Sequence, residues 1–176
     1  TESMFHMARR YLGAIQDLDI PVLMGGVFPT FAPELVLRHP EVHMVCVGEG
    51  EYTLPELCRR MKKGLPYENV LGLWGKDKSG SLFRNPPAEP ADINENPLPD
   101  LTIFENERFV LPRGGKLWRI VPIETHRGCP YTCTFCNSPA QDVLFKKAGR
   151  SSFFRKKSLD RVRAEIEDAQ KHFGAT

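Results

Sequence analysis

Apolar residues in the first third of the chain recur with two alternating periods. Met4, Ala8, Tyr11, Ile15 and Leu18 fall at helical spacing, with Phe5 and Leu12 widening the stripe, which predicts an amphipathic helix. Residues 20–24 are apolar on nearly every position and stop at Gly25-Gly26, the pattern of a strand covered on both faces. A short helix is predicted over residues 33–38, with Pro33 in its first turn. Residues 42–47 read as the next strand, closed by Gly48-Glu49-Gly50-Glu51. Thr53 and Glu56 have the T-x-x-E spacing of a capping box, Pro55 is tolerated in a first turn, and Gly64 is a stop, so a helix is predicted between them. Leu54, Leu57, Cys58 and Met61 give it an apolar face. Residues 70–74 and 81–84 flank a polar turn over 76–80 and predict a hairpin or edge addition to the sheet.

The pattern then breaks. Residues 85–115 hold six of the fifteen prolines and read as an extended connector. Residues 118–124 predict a strand leading into a cysteine-rich loop. Ser158 can cap a helix striped by Leu159, Val162, Ile166, Ala169 and Phe173, with Gly174 ending it. The order is α/β: a doubly wound parallel sheet over residues 1–84, a linker over 85–115, and one strand with one helix over 116–176. That last pair cannot bury a core alone and is expected to open a larger domain. The chain starts at Thr1 rather than Met, and its true N-terminus is expected upstream.

Composition narrows the class. Hydrophobic residues at 41% and charged residues at 26% exclude a disordered chain. The apolar runs are too short for a membrane span, which needs about 20 residues. No basic-then-apolar leader opens the chain. A net charge of +2 calls for no nucleic-acid partner. Residues 141–176 hold nine lysines and arginines against five acids, a local +4 that reads as solvated surface, so nucleic acid is not expected. Five cysteines without a leader favour a reducing compartment, and a cytoplasmic location is expected.

Three of those cysteines lie within eight residues, in Cys129-x3-Cys133-x2-Cys136. Three thiolates on one loop can bind three irons of a cubane cluster and leave the fourth iron open to an external ligand. Zinc is the alternative, with His126 completing a Cys3His set. Cys46 and Cys58 sit in apolar patterns and read as small buried hydrophobes.

With Arg127-Gly128-Cys129-Pro130 ahead and Phe135 before the last cysteine, the loop resembles that of the radical S-adenosylmethionine (SAM) superfamily. The resemblance implies a [4Fe-4S] cluster on Cys129, Cys133 and Cys136, with SAM on the open iron. It implies reductive cleavage of SAM to a 5′-deoxyadenosyl radical, and adenine near Phe135. An electron donor such as flavodoxin or ferredoxin would be the partner, and the substrate, a small molecule or peptide, is not named by the sequence. Residues 21–30 and 45–51 are similar to the cobalamin (B12)-binding domain that precedes many radical SAM barrels. That similarity implies cobalamin at Gly25, Gly26, Thr30, Gly48, Glu49 and Gly50. The D-x-H-x-x-G motif of that domain is absent from these residues. The implied fold is a partial Rossmann-like cobalamin-binding domain followed by the first βα unit of a partial (β/α) barrel. The implied activity is methyl transfer to an unactivated centre, with these 176 residues inactive alone. A radical cyclase or rearrangement enzyme, or a non-catalytic zinc or Fe–S module, are the alternatives.

Overall fold

A computed structural model describes residues 2–77, 79–149 and 152–174. Two residues of the patterns above, Lys78 of the polar turn and Arg150 of the basic stretch, lie outside the described residues. The chain divides into two compact units, residues 1–91 with 139–152 and residues 92–138 with 153–176. The proline-rich stretch is shared between them.

The first unit is built on a mixed four-stranded sheet. Its elements are α1 (Glu2–Ile15), β1 (Leu23–Met24), α2 (Val27–Phe31), α3 (Pro33–Leu37), β2 (Met44–Cys46), α4 (Gly50–Lys62), β3 (Leu73–Lys76) and β4 (Leu82–Arg84). β1 pairs parallel with β2, Leu23 opposite Met44, and β3 and β4 add to β2 as an antiparallel hairpin. The parallel pair is the Rossmann-like part, and the hairpin is the edge addition. Asp77 closes its turn, with Oδ1 accepting from the backbone N–H groups of Ser79 and Ser81.

β2 is buried on both faces, as its unbroken apolar run requires. Val45 and Val47 pack with Phe5, Val36, Leu37 and Val42 on one side, while Met44 joins Leu57, Val70 and Leu73 on the other. Each such fully buried aliphatic side chain contributes about 1.5–3 kcal/mol relative to exposure. α1 buries Phe5 and half-buries Ala8, Leu12 and Ile15, whereas Met4, Tyr11 and Leu18 of the predicted stripe face solvent.

Three local expectations are corrected here. α4 begins at Gly50, with Glu49 at the N-cap, so Thr53 is inside the helix and no capping box forms. Thr53 is 1% exposed, and its hydroxyl donates to the Leu71 carbonyl at 2.8 Å. Glu56 accepts from Arg59 and Arg60 instead. The buried positions of α4 are therefore Thr53 and Leu57; Leu54, Met61 and Cys58 are exposed, so Cys58 is no core residue. The stop is as read: Gly64 adopts φ +63°, and the Leu65 N–H reaches back to the Arg60 carbonyl, a Schellman end.

The second unit contains β5 (Val110–Arg113), β6 (Lys116–Arg119), β7 (His126–Arg127), β8 (Arg155–Lys156) and α6 (Leu159–Phe173). Two short 3-10 helices, Leu101–Ile103 and Asn106–Phe109, lie in what reads as an extended connector. The strand expected over 118–124 is corrected. Its first residues belong to β6, which pairs back onto β5, and Pro122 has no N–H with which to extend a ladder. The strand that enters the cysteine loop is β7, antiparallel to β8. α5 (Ser138–Lys147) follows the loop, and all but its first residue pack with the first unit. α6 starts as its sequence demands, with Ser158 Oγ accepting from the Arg161 N–H at 3.1 Å, and ends at Gly174 in the left-handed region. Its buried residues are Glu165, Ala169 and Phe173, while Leu159 and Ile166 are exposed. Among the described residues no helix is long and apolar enough to cross a membrane.

Candidate functional site

In the first unit the candidate residues gather at one sheet edge. Gly25-Gly26 follows β1 and Gly48-Glu49-Gly50 follows β2; because the two strands are parallel, both turns leave by the same end. Ligands of open α/β sheets bind at that carboxyl edge. Thr30 ties the turns together, its Oγ1 accepting from the Gly48 N–H at 3.1 Å. Gly26 has φ +98° and ψ −174°, a region open essentially to glycine alone. A Cβ built at Gly26 or at Gly50 meets no heavy atom within 4 Å, and one at Gly25 meets only the Cys46 Cβ at 3.8 Å. The edge is thus a glycine shelf whose free space side chains would fill. Such a shelf fits the close approach of a bulky cofactor to backbone. Glu49 is engaged in the fold, with Oε2 accepting from the Ala91 N–H at 3.0 Å. Burial pushes the Cys46 thiol up in pKa.

The second unit carries the three-cysteine loop between β7 and α5. Its entry depends on Gly128, which sequence reasoning quoted only as part of a motif. Gly128 has φ +86°, and a Cβ there would lie 2.3 Å from the Phe153 carbonyl oxygen. Only glycine lets the chain leave β7 past the residues that lead into β8. Arg127 is held by Glu124 at 3.4 Å. Inside the loop the Cys136 N–H donates to the Cys133 carbonyl, a turn that brings these two cysteines to neighbouring positions. Cys129 is half-buried, and Cys133 and Cys136 are exposed.

Cys136 Sγ lies 3.5 Å from Ser138 Oγ and accepts from the Ser138 N–H at 3.4 Å. These contacts lower the Cys136 pKa. Among the described residues no three His, Cys, Asp or Glu side chains converge closely enough to hold a metal ion. The donor set nonetheless fits an Fe–S cluster: three thiols on one loop, with no other cysteine near in sequence. His126 is placed in β7, where it contacts Thr125 and stacks at a tilt on Phe154, 5.3 Å between ring centroids. Phe135 is 93% exposed.

The B12 binding domain family model matches residues 1–58, the part of the chain that ends beyond the glycine shelf. An uncharacterized methyltransferase of Pyrococcus horikoshii is 33% identical over 159 residues, which is 89% of this chain and 32% of the relative. The solved structure of OxsB, a cobalamin-dependent SAM radical enzyme with aqua-cobalamin and SAM bound, superimposes on the whole chain at a TM-score of 0.65 and 29% identity. The chain belongs to the radical SAM proteins that carry a B12-binding domain. The 4′-phospho-dehydrooxetanocin synthase of Priestia megaterium, a further relative, is 36% identical over 164 residues. The chain spans a third or less of these relatives: 32% and 20% of the two sequences and 23% of the OxsB chain. Within this family the glycine shelf lies in the matched cobalamin-binding part, and the cysteine loop lies beyond residue 58.

Proposed function

We propose that the protein is a cobalamin-dependent radical SAM enzyme that transfers a methyl group to an unactivated carbon or phosphorus centre. The observation that carries this reading is the coexistence in one chain of a glycine shelf within a B12-binding match and a C-x3-C-x2-C loop. Cys129, Cys133 and Cys136 would hold a [4Fe-4S] cluster, and the shelf formed by Gly25, Gly26, Gly48 and Gly50 would receive cobalamin, with Thr30 and Glu49 fixing its two turns. When bound, these groups supply an electron for reductive cleavage of SAM and a methyl donor.

The chain's own residues bind and orient. Three thiols leave one of four irons without a protein ligand, which is where SAM would attach. The Ser138 contacts, at 3.4 and 3.5 Å, favour the thiolate form that metal binding requires. Gly128 sets the path of the loop, and the backbone near Phe135 would meet the adenine. A low-potential carrier, flavodoxin or ferredoxin, would deliver the electron, and the cytoplasm would provide the reducing setting in which five free cysteines persist.

Anaerobic reconstitution of the full-length protein with iron and sulfide tests the reading. A [4Fe-4S] electron paramagnetic resonance signal that changes on adding SAM, and is lost in Cys133→Ala, is expected. Cobalamin should co-purify or bind on addition. A wild-type protein that holds one zinc per chain and no iron would overturn it.

A further inference from the structure

Among the described residues, no carboxylate pairs with the cations of the β5–β6 hairpin. Between Glu107 and Glu124 the chain has four cations, Arg108, Arg113, Lys116 and Arg119, and no acid. In the basic stretch farther along, Lys146, Lys157, Arg161 and Arg163 are paired with a carboxylate. Among the described residues Arg113 and Lys116 pair with none, and both are exposed.

Register sorts the hairpin into two faces. Arg113 sits opposite Lys116 and Leu111 opposite Trp118, and directly opposed residues of an antiparallel pair share a side. Leu111, Arg113, Lys116, Trp118 and Ile120 therefore form one face. An open hollow of about 570 Å³ lies on it, lined by Arg113, Gly114, Lys116, Trp118 and Ile120. That size is within the range of small-molecule sites.

The face is held in shape. Gly114 and Gly115 adopt φ +60° and +75°, the two positive values of a type I′ turn. Trp118 Nε1 donates to the Arg113 carbonyl at 3.0 Å, which fixes the indole along the strands beside the two cations. At the base the Ile120 N–H donates to the Phe109 carbonyl, and buried Phe109 packs on Phe173 of α6 at 4.9 Å. A fixed, 44% exposed indole next to two unpaired cations is the chemistry that takes a flat ring on the indole and an anion on the cations.

We infer that this face is a binding site for a small anionic ligand that carries a flat ring, its phosphate or carboxylate held by Arg113 and Lys116 and its ring stacked on Trp118. The inference does not depend on the cluster or on cobalamin.

In the full-length protein labelled with ¹⁵N-tryptophan, the indole signals of Trp118 and Trp74 are assigned by their loss in Trp118→Phe and Trp74→Phe. Trp74 Nε1 is bonded to the Asn85 carbonyl in the other unit and serves as the internal control. Titration with 1-naphthyl phosphate should move the Trp118 signal saturably and leave Trp74 in place. Inorganic phosphate should bind about tenfold more weakly, since it lacks the ring. 1-Naphthoate distinguishes the two anions: tighter binding than the phosphate assigns a carboxylate ligand, and weaker binding assigns a phosphate. Arg113→Ala with Lys116→Ala should weaken binding about tenfold or more while the Trp74 signal stays native. A Trp118 signal that does not move at about 10 mM probe, or that moves equally in the double variant, would overturn the inference.

Discussion

Lys157 Nζ lies 2.7 Å from both carboxylate oxygens of Glu165, and the two side chains are 7% and 5% exposed. Arg161 adds a second cation at 2.9 Å and spends its other nitrogens on the Asn96 and Pro97 carbonyls. The triad thereby fastens the proline-rich stretch, at Asn96 and Pro97, to α6. Burial works to raise the Glu165 pKa, but the Lys157 and Arg161 hydrogen bonds outweigh it and hold the carboxyl below its ordinary value. A depressed carboxylate stabilises the fold above the unfolded-state pKa, near 4.5 here, and that stability is lost as pH falls through the folded-state value. Glu165→Gln should cost about 3–5 kcal/mol at neutral pH, because it leaves buried cations uncompensated. Urea unfolding from pH 7 to pH 3 should show wild type losing stability below about 4.5 more steeply than the variant. Parallel curves would mean that the triad is not linked to folding.

The same helix shows what the sequence could and could not reveal. Its ends were legible because they are local: Ser158 caps three residues on, and Gly174 supplies a left-handed stop. Its buried face was not, because Glu165 is inside only by virtue of Lys157 and Arg161, while apolar Leu159 is 84% exposed. Thr53 makes the same point in α4, where a distant carbonyl, that of Leu71, claims the hydroxyl that looked like a cap. α5 escaped notice because it begins two residues after Cys136 with Ser138-Pro139 and buries little besides Phe145. Of the candidate sites, the spacing of the three cysteines and the paired glycines stood in the sequence. The Thr30 hydrogen bond and the closeness of Gly128 to Phe153 depend on strand pairing and did not.

Gly128 should be the least replaceable glycine of the cysteine loop. Gly128→Ala combines a left-handed backbone, which costs about 1–3 kcal/mol for a side-chain-bearing residue, with a clash against a carbonyl. Gly114→Ala carries backbone strain alone, because a Cβ at Gly114 meets nothing within 4 Å. Thermal unfolding should therefore rank Gly128→Ala well below Gly114→Ala. Iron uptake should fall only in the former, although all three cysteines remain. Equal melting temperatures would show that the loop moves aside freely.

Thiol reactivity should separate the cysteines of the metal-free protein. Thiolate is the reactive form, so a lowered pKa and exposure both speed alkylation. Cys136 has both, by way of Ser138, whereas Cys46 is 4% exposed with its pKa raised by burial. Limited iodoacetamide treatment at pH 7, followed by peptide mass spectrometry, should find Cys136 modified well before Cys46. Ser138→Ala should slow Cys136 by removing the larger of its contacts. Faster labelling of Cys46 than Cys136 would contradict the burial described for β2.

Cobalamin uptake can be probed without disturbing the fold by choosing between two glycines of the shelf. Gly26→Val would mix effects, because its φ of +98° strains any side chain whether or not a cofactor binds. Gly50 has no positive φ, opens α4, and would carry a Cβ into free space. Alanine at that position suits a helix better than glycine, by about 0.5–1 kcal/mol in an interior and less at a first turn. Gly50→Ala should consequently keep or slightly raise the melting temperature. If the cofactor lies against the shelf, the added methyl occupies its space, and cobalamin affinity measured by absorbance should fall about tenfold. The iron content of the reconstituted cluster should stay at the wild-type level, since its ligands come from another unit. Undiminished cobalamin binding by a stable Gly50→Ala protein would remove the shelf from the cofactor's path and leave the three cysteines as the only part of the reading still standing.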